Sequence, residues 1–416
     1  MKFYVNYFGC RTNQAEIQEW IIELENSGYK LVSSVNDADF GIINTCSVTE
    51  KAERDVLKFI NKVYKNTYKK WIITGCTVSK ESPKLNNRYK NYIFINNKQK
   101  KDLTQTVKEL FPAKSKNLIF HSAFRSRIFL KVQDGCNHRC SFCIVPYLRG
   151  KSTSIPLTNI LKKVEYFTSL GYREIVLTGI NLSAYGYDLF PRDNLLNLIQ
   201  KVSQVKDIDF LRLSSLDPRY IKYSFIKELS YIENLAQSFH LSLQSGSNTI
   251  LRKMNRGLKT IEFKNILGQF HKFFPDANFG TDIIVGFPGE SEKHFQESVE
   301  LISQTPLNYL HIFPFSPREG TRAYSLDSIP MNVLKKRMQI LKEINIDLRI
   351  RYREKFLDRI LDGILIQENK NHSLVITGNF LAVRIPPLKG YKKRKVKIRI
   401  NKMINENLSE GEVIGK

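Results

Sequence analysis

The first third of the chain alternates short apolar runs with segments whose apolar side chains recur every three or four positions. The runs have the length of buried strands, and the periodic segments are typical of amphipathic helices. Strands are predicted at 3–9, 40–45, 71–75 and 92–95. One helix is predicted at 13–26, a second begins at the capping-box pattern of Ser47 to Glu50, and a third is predicted at 101–111. This order of elements predicts a parallel α/β domain over 1–114.

A weakly patterned basic segment, 112–127, separates this domain from a longer one with the same alternation. The strands predicted there are 128–133, 174–181, 210–216, 238–245, 278–287 and 309–316. The helices predicted between them are 157–169, 195–205, 221–232, 261–274 and 292–303. Six such βα units close partly into a barrel, and the carboxyl ends of its strands form the ligand-binding edge. We therefore predict an open (βα)6 partial TIM barrel over 122–352.

The periodicity changes again after a long helical pattern at 332–360. The following short runs are typical of strands, which are predicted at 364–366, 374–376, 380–385 and 396–400. Together they predict a small antiparallel β-barrel over 356–416. The chain is thus predicted to be an α/β protein of three domains.

Composition adds a class of partner. The 416 residues include 65 Lys and Arg against 40 Asp and Glu, a net charge of +25. This excess favours a polyanionic partner such as nucleic acid, although a lysine-rich proteome gives the same excess. No apolar run approaches the roughly 18 residues that span a bilayer, and the N-terminus does not resemble a signal peptide. We expect no membrane partner.

Basic residues concentrate near the end of the chain. Between Arg384 and Lys402 there are nine Lys or Arg residues and no acid. Strict alternation over 395–400 places the basic side chains on one face of a strand and the apolar ones in the core. Such a face suits an RNA backbone, and lysine-guarded edge strands are the alternative explanation. RNA contacts are predicted for Lys392, Lys393, Arg394, Lys395, Lys397 and Arg399.

The six cysteines occur in two sets of three, which is typical of metal binding in the reducing cytoplasm. Cys136, Cys140 and Cys143 follow the first barrel strand with the spacing C-x3-C-x2-C. Three soft thiolates in eight residues hold three corners of an iron–sulfur cube and leave one iron open. The spacing favours this site over a zinc site completed by His138 and over unliganded core thiols.

The other three cysteines, Cys10, Cys46 and Cys76, each follow a predicted strand of the first domain. Each gap between them has the length of about one βαβ unit. Because the carboxyl ends of parallel strands share one edge of a sheet, we expect the three thiols to converge. One such cysteine alone is typical of a buried core residue. The threefold repetition predicts a second three-thiolate site.

Polar residues and glycines follow the predicted barrel strands at the edge where ligands bind. Glycine lets a backbone approach a ligand closely, and the polar side chains offer donors and acceptors to a polar cofactor. Each residue type is equally common as an ordinary turn or cap residue, so the prediction rests on the shared edge. Arg212, on the third predicted barrel strand, is expected to offer the cofactor a further donor. The candidate cofactor contacts are Thr178, Gly179, Asn181, Ser214, Gln244 and Asp282.

These motifs resemble those of a known family. The Cys136–Cys143 loop, with Phe142 before the last cysteine, is similar to the radical S-adenosylmethionine (radical SAM) signature. The three N-terminal cysteines resemble those of the methylthiotransferases within that superfamily. The last domain resembles the TRAM domain of RNA-modifying enzymes. Further matching motifs, which extend the resemblance over essentially the whole chain, are 133–136, 144–150, 243–247 and 286–290.

The resemblance implies two 4Fe-4S clusters. The cluster on Cys136, Cys140 and Cys143 would bind S-adenosylmethionine at its open iron, where one electron cleaves it to a 5′-deoxyadenosyl radical. The cluster on the N-terminal cysteines would hold the sulfur that is methylated and inserted. The implied partners are a tRNA anticodon stem-loop, a flavodoxin- or ferredoxin-like reductant and a sulfur source, with the protein a monomer. The sequence offers no candidate for a conventional general base, which agrees with radical chemistry, so no catalytic residue is assigned beyond the clusters.

The segment Phe8–Gln14 most resembles the branch that acts on threonylcarbamoyladenosine, which implies methylthiolation of C2 at tRNA position 37. Arg11-Thr12 and Thr77–Ser79 depart from the usual pattern of that branch. Within the family, isopentenyladenosine of tRNA or a ribosomal protein is the alternative substrate. Outside it, the alternative is a non-catalytic, zinc-bearing RNA-binding protein.

Overall fold

The computed structural model describes residues 1–66, 69–113 and 126–415. The predicted domain limits at 114, 122 and 416, and most of the predicted linker at 112–127, lie outside these residues. The described residues form two compact units. The first contains the N-terminal segment, Asp134–Lys151 and Ser316–Tyr324. The second contains the strand that precedes Asp134, Ser152–Phe315 and the chain from Ser325 onward.

The N-terminal segment is a parallel sheet with helices between its strands, as the sequence predicts, but it has five strands rather than the four predicted. The strands are β1 (Lys2–Tyr7), β2 (Lys30–Leu31), β3 (Phe40–Thr45), β4 (Lys70–Gly75) and β5 (Ile93–Ile95). The helices are α1 (Arg11–Asn26), α2 (Glu50–Asn66), α3 (Cys76–Arg88) and α4 (Leu103–Leu110), with a 3-10 turn at Lys100–Asp102. The strand order is β2-β1-β3-β4-β5, so β3 lies between β1 and β4.

Alternation along the strands divides the apolar core of this sheet into two clusters. Ile42 packs with Ile17 and Leu24 of α1, whereas the next residue, Ile43, packs with Val56 of α2. Successive strand side chains point to opposite faces, so the two clusters lie on the two sides of the sheet. Full burial of a side chain of this size stabilises the fold by about 1.5–3 kcal/mol.

The predicted capping box before α2 is wrong in its residues. The hydroxyl of Thr49 accepts a hydrogen bond from the backbone N–H of Ala52 at 3.2 Å, so Thr49 is the cap. The hydroxyl of Ser47 instead donates to Glu53 at 3.2 Å. A Ser-x-Thr sequence offers two capping residues, and only the backbone direction decides between them.

The short helix α5 (Val145–Arg149) follows the cysteine loop. The second unit contains a barrel of six parallel strands. The strands, with the short edge strand β7, are β6 (Ile128–Asp134), β7 (Thr153–Ser154), β8 (Glu174–Gly179), β9 (Phe210–Leu213), β10 (Ser238–His240), β11 (Asn278–Val285) and β12 (Tyr309–Pro314). The helices are α6 (Leu157–Ser169), α7 (Leu195–Ser203), α8 (Tyr223–Leu229), α9 (Asn248–Lys253), α10 (Thr260–Phe273) and α11 (Glu292–Ser303).

The barrel strands form two parallel sheets joined by isolated bridges. One contains β6, β8 and β9, and the other contains β10, β11 and β12. Bridges Leu211 to Leu235 and Leu216 to Leu241 connect the chain around β9 with the chain around β10. Most of these strands end earlier than predicted. At β10, for example, regular pairing ends at His240, and only an isolated bridge joins Gln244, which has a positive φ of 91°, to Ile283 of β11.

The C-terminal region follows the long helix α12 (Met331–Glu354) and is a closed five-stranded barrel. Its strands are β13 (Ile360–Glu368), β14 (Ser373–Thr377), β15 (Ala382–Ile385), β16 (Lys395–Asn405) and β17 (Leu408–Gly415). All neighbouring pairs are antiparallel except β15 and β17, which are parallel. The predicted β-barrel is confirmed, but β17 was not predicted, and α12 ends six residues before the predicted limit.

Arg212 on β9 joins the six-stranded barrel to the C-terminal barrel. Its guanidinium donates to Glu174 at 2.7 Å and to the carbonyl oxygens of Gly378 at 3.0 Å and Thr377 at 3.2 Å. The ring of Phe380 packs on the same guanidinium, 4.9 Å from its carbon. Arg212 is 2% exposed. The expectation that it offers a donor to a cofactor is therefore wrong.

Among the described residues, no helix has the length and apolar character needed to cross a bilayer.

Candidate active site

The structure brings Cys10, Cys46 and Cys76 together. Cys10 caps α1 after β1, Cys46 follows β3, and Cys76 is the first residue of α3 after β4. Because β3 lies between β1 and β4, the three cysteines occupy neighbouring positions at one edge of the sheet. Burial raises the pKa of Cys46 to about 12, and the thiols of Cys10 and Cys76 contribute to the rise. The thiols are close enough to interact electrostatically.

A metal group fits this donor set. Cys46 and Cys76 are buried, and burial also raises the pKa of Cys10. A buried thiol with a raised pKa, such as Cys10 or Cys46, resists ionisation until a metal replaces its proton. Three thiolates are soft ligands, which favours iron–sulfur or zinc over the hard cations magnesium and calcium.

Gly9 gives Cys46 its space. It has a positive φ of 84°, and a Cβ atom on it would lie 2.3 Å from the sulfur of Cys46. On the other side of the site, the amide nitrogen of Asn97 lies 3.8 Å from the sulfur of Cys76. The close approach of the backbone at position 9 to the sulfur of Cys46 requires glycine, which has no side chain.

The second set of cysteines lies in one loop, which is shaped by its own backbone. The N–H of Cys136 donates to the carbonyl of Gly150 at 3.1 Å, and the N–H of Cys143 donates to the carbonyl of Cys140 at 3.1 Å. Gly135 has a positive φ of 67°, and a Cβ atom there would lie 2.1 Å from the carbonyl oxygen of Lys151. All three cysteines are half-buried, as is His138.

Arg149 contacts residues next to both sets of cysteines. Its guanidinium donates to Asp134 at 2.9 Å, to Glu16 at 3.3 Å and to the side-chain oxygen of Asn13 at 2.6 Å. Burial raises the pKa of Cys10, and the charge of Arg149 partly offsets that rise. Arg149 was not selected as a site residue, although it lies in the matching motif 144–150. Its acidic partner Glu16 lies far away in the sequence and gave no signal.

Three of the predicted cofactor contacts are buried polar atoms that need a partner. The hydroxyl oxygens of Thr178 and Ser214 and the amide oxygen of Asn181 have no hydrogen-bond partner among the described residues. In the register of β8 and β9, Leu177 pairs with Leu213, so Thr178 and Ser214 are neighbours. An unsatisfied buried polar group costs roughly 1–3 kcal/mol. A polar cofactor bound at these strand ends would satisfy all three.

Gln133 and Gly179 support this cradle. The side-chain oxygen of Gln133 accepts a hydrogen bond from the N–H of Asn181 at 2.8 Å. A Cβ atom on Gly179 would lie 2.8 Å from the same oxygen, so the glycine leaves room for it. Gln133 was not predicted as a site residue, although its position directly before the cysteine loop is a signal.

The last two candidate cofactor contacts, Gln244 and Asp282, differ from each other in their surroundings. The N–H of Gln244 donates to the carbonyl of Asp282 at 2.9 Å, so its backbone is fixed against β11. Asp282 lies in the middle of β11 rather than at its end, with its carboxylate 3.0 Å from His240 and 3.4 Å from His311. Neither histidine was predicted as a site residue.

The predicted basic face is exposed on β16. Lys395, Lys397 and Arg399 alternate with buried apolar residues, as predicted. Lys395 lies 3.6 Å from Asp362, and Arg399 lies 3.5 Å from Glu412. Lys393 differs, because its ammonium nitrogen lies 3.6 Å from the centre of the Tyr172 ring. Lys392 and Arg394 are exposed in the preceding turn.

Comparison with protein families gives two matches. Residues 130–302 match the radical SAM superfamily, and residues 2–96 match a family described as uncharacterized protein family UPF0004.

Curated relatives resemble nearly the whole chain. The threonylcarbamoyladenosine tRNA methylthiotransferase MtaB of Aquifex aeolicus is 33% identical, over 96% of this chain and 100% of the relative. The protein of the same name from Chlamydia pneumoniae is 36% identical, over 81% and 80%. A tRNA-2-methylthio-N(6)-dimethylallyladenosine synthase of Petrotoga mobilis is 32% identical, over 92% and 96%.

Solved structures share the fold. The radical SAM methyltransferase TsrM of Kitasatospora setae superposes with a TM-score of 0.56 at 11% identity, covering 78% of this chain and 76% of that one. The cobalamin-dependent radical enzyme OxsB gives 0.52 at 13% identity, covering 85% and 56%. At these identities the similarity concerns the fold alone.

Proposed function

Because the chain belongs to the radical SAM tRNA methylthiotransferase family, we propose that it adds a methylthio group to C2 of N6-threonylcarbamoyladenosine at tRNA position 37. The family consists of enzymes that transfer a sulfur-containing group, and they use S-adenosylmethionine and two 4Fe-4S clusters. The choice of threonylcarbamoyladenosine is supported by the names of the 33–36% identical relatives and by the Phe8–Gln14 segment.

The observation that carries this proposal is the meeting of Cys10, Cys46 and Cys76 at three neighbouring strand ends. A chemistry with two clusters requires two sets of ligands, and this chain has two sets of three cysteines. We assign Cys136, Cys140 and Cys143 to the cluster that binds S-adenosylmethionine, and the N-terminal set to the other cluster. When bound, the first cluster supplies the electron that cleaves S-adenosylmethionine.

In this scheme the protein's own residues bind and orient the cofactor and balance the charge of the thiolates. Thr178, Asn181 and Ser214 would donate to or accept from polar groups of the cofactor, since each has an unsatisfied buried atom. Arg149 would compensate the negative charge of thiolates at the N-terminal site. The buried position of Cys46 shields this thiol from water.

The proposed partners are the tRNA anticodon stem-loop, a flavodoxin- or ferredoxin-like reductant and a sulfur source. We propose that the enzyme works as a monomer in the cytoplasm, with domains at 1–114, 122–352 and 356–416. The RNA contacts are assigned to the exposed basic residues Lys392, Arg394, Lys395, Lys397 and Arg399. Lys393 would contribute less, because its ammonium group packs on Tyr172.

Replacing Lys395, Lys397 and Arg399 together with serine tests the RNA assignment. Each lost phosphate contact reduces the magnitude of the negative slope of log affinity against log salt by roughly 0.7–0.9. The slope of the triple variant should therefore be smaller in magnitude by about 2 to 3. The matched control replaces Lys335, Lys336 and Lys342, three exposed lysines of α12, and removes the same charge. Equal slopes for both variants, measured with a tRNA anticodon stem-loop, would remove the assignment.

Mass spectrometry of tRNA nucleosides tests the proposed reaction. In cells that lack the gene, the methylthio derivative of threonylcarbamoyladenosine should disappear and its precursor should accumulate. The wild-type gene should restore it, whereas a Cys46→Ala gene should not. Loss of the methylthio group from dimethylallyladenosine instead would favour the second substrate, which the name of the Petrotoga relative supports.

A further inference from the structure

His240, Asp282 and His311 form a second group of metal-binding side chains, on β10, β11 and β12. One ligand atom from each lies within 4.8 Å of the others. Asp282 is the register partner of His311, and His240 is the partner of Gly280, two residues earlier on β11. Residues two apart on a strand share a face, so all three side chains project from the same side of the sheet.

The two distances to Asp282 approach those of a coordination shell. One oxygen of Asp282, Oδ1, lies 3.0 Å from Nε2 of His240 and 3.4 Å from Nδ1 of His311. Two ligands of a tetrahedral zinc ion with bonds of about 2.0–2.1 Å stand roughly 3.4 Å apart. The imidazole rings of His240 and His311 also stack, with their centres 4.6 Å apart. Small side-chain rotations would therefore place all three ligand atoms around one ion.

The orientation of His240 is fixed by Tyr309. Its Nδ1 lies 3.2 Å from the hydroxyl of Tyr309, which leaves Nε2 to face Asp282. Histidine ligands commonly have their other ring nitrogen held by such a hydrogen bond. Nε2 is buried and has no aligned hydrogen-bond partner among the described residues, although Asp282 is 3.0 Å away. A metal ion bound to both Nε2 of His240 and Oδ1 of Asp282 would satisfy this nitrogen without requiring hydrogen-bond alignment.

We propose that His240, Asp282 and His311 bind one divalent transition-metal ion of the zinc type, separate from the two iron–sulfur sites. Two imidazoles and one carboxylate suit zinc, whereas magnesium and calcium prefer oxygen ligands alone. The side chain of His311 is 43% exposed, so the ion has a coordination position that is open to solvent or to a substrate oxygen. Three protein ligands with an open position are typical of catalytic rather than structural zinc.

The experiment uses anaerobically prepared protein with both clusters loaded, so that the cysteines are occupied. After incubation with one equivalent of Zn²⁺ and dialysis, metal analysis should give about one zinc beside about eight irons per chain. Asp282→Asn and His311→Gln should each weaken zinc binding at least tenfold and leave the iron content and visible spectrum unchanged. The control His271→Gln, an exposed histidine of α10, should bind zinc like the wild type.

Two results of this zinc analysis would overturn the proposal. One is wild-type protein that contains eight irons and retains no zinc. The other is zinc retained equally by wild type, Asp282→Asn and His311→Gln. Should the ligand variants fail to fold, Tyr309→Phe removes only the hydroxyl that orients His240. Loss of a hydrogen bond to a metal ligand weakens binding about 10- to 100-fold. A zinc affinity in Tyr309→Phe equal to that of the wild type would also contradict the proposal.

Discussion

The two sets of cysteines provide the same number of thiols by opposite routes. Cys136, Cys140 and Cys143 lie within eight residues, and backbone hydrogen bonds inside 136–150 shape their loop. Cys10, Cys46 and Cys76 meet only because β1, β3 and β4 are neighbours in a sheet. The first set is positioned by local chain geometry, and the second by tertiary structure.

This difference indicates what each site tolerates. A local loop retains its ligand spacing as long as its own turns form. A site built on three strand ends exists only while the sheet is folded, and two of its thiols, Cys46 and Cys76, are more deeply buried than those of the loop. The N-terminal site should therefore respond to changes throughout its sheet, whereas the loop should respond mainly to changes within itself.

The strongest test of this independence removes one thiol from each set. Cys46→Ala and Cys140→Ala should each lower the iron content from about eight to about four per chain, because each leaves one cluster intact. Cys46→Ala should still cleave S-adenosylmethionine, whereas Cys140→Ala should not. Iron analysis and assay of 5′-deoxyadenosine measure both effects. A single variant that loses all eight irons would show that the sites depend on each other.

Thiol labelling of the cluster-free protein should find Cys46 about three orders of magnitude less reactive than an ordinary thiol. Burial raises the pKa of Cys46 to about 12, with the neighbouring thiols Cys10 and Cys76 contributing. Only the thiolate reacts, so at pH 8 Cys46 should be alkylated about 10³-fold more slowly than a thiol with an ordinary pKa of about 8.5. Its rate should still rise tenfold per pH unit at pH 10. A plateau near pH 9, measured by peptide mass spectrometry, would contradict this.

Replacement of Arg149 should affect both sites. Arg149→Gln removes a buried partner of Glu16 and Asp134, and loss of one member of a buried ion pair costs about 3 kcal/mol. Arg149→Lys should cost less, because it retains the charge but not the forked donor geometry. Urea unfolding measures the change, with the exposed Arg322→Gln as control. A loss below 0.5 kcal/mol, the range of ordinary surface changes, would contradict the role of Arg149.

The smallest expected effect compares two glycines with similar backbone angles. Gly9 has a φ of 84° and lies against the sulfur of Cys46, whereas Gly171 has a φ of 80° and open space around it. Gly171→Ala should cost about 1 kcal/mol for the strained backbone alone. Gly9→Ala should cost about 2 kcal/mol, because steric conflict adds to the strain, and it should lower iron only at the N-terminal site. Equal costs for both would show that the sulfur moves freely.

Much of the fold could be predicted because its signals are local. Helices α6 and α11 begin and end where the periodicity places them. Strand β17 could not be predicted, because Leu-Ser-Glu-Gly-Glu-Val-Ile-Gly has little strand character and depends on pairing with β16. The predicted extension of α12 to 360 fails because Phe356 packs into the core of the C-terminal barrel and Asp358 has a positive φ of 60°.

The candidate sites also divide into residues that the sequence alone predicts and residues that it does not. All six cysteines were selected, because thiol chemistry and strand ends are visible in the sequence. Arg149 and the pair His240 and His311 were missed, because their partners lie many residues away and strand register brings them together. Asp282 was selected as a cofactor contact, although its nearest polar neighbours are these histidines.

The buried guanidinium of Arg212 determines how the C-terminal barrel is attached. A barrel joined through Glu174, two backbone carbonyls and the Phe380 ring is rigidly coupled to β8 and β9 rather than flexibly tethered. RNA held on the face of β16 would then lie at a constant distance from the ends of these strands. The nucleotide that is modified would then be selected by its distance along the tRNA from the part held on β16. Arg212→Ala should relax this selection and leave the affinity for RNA intact.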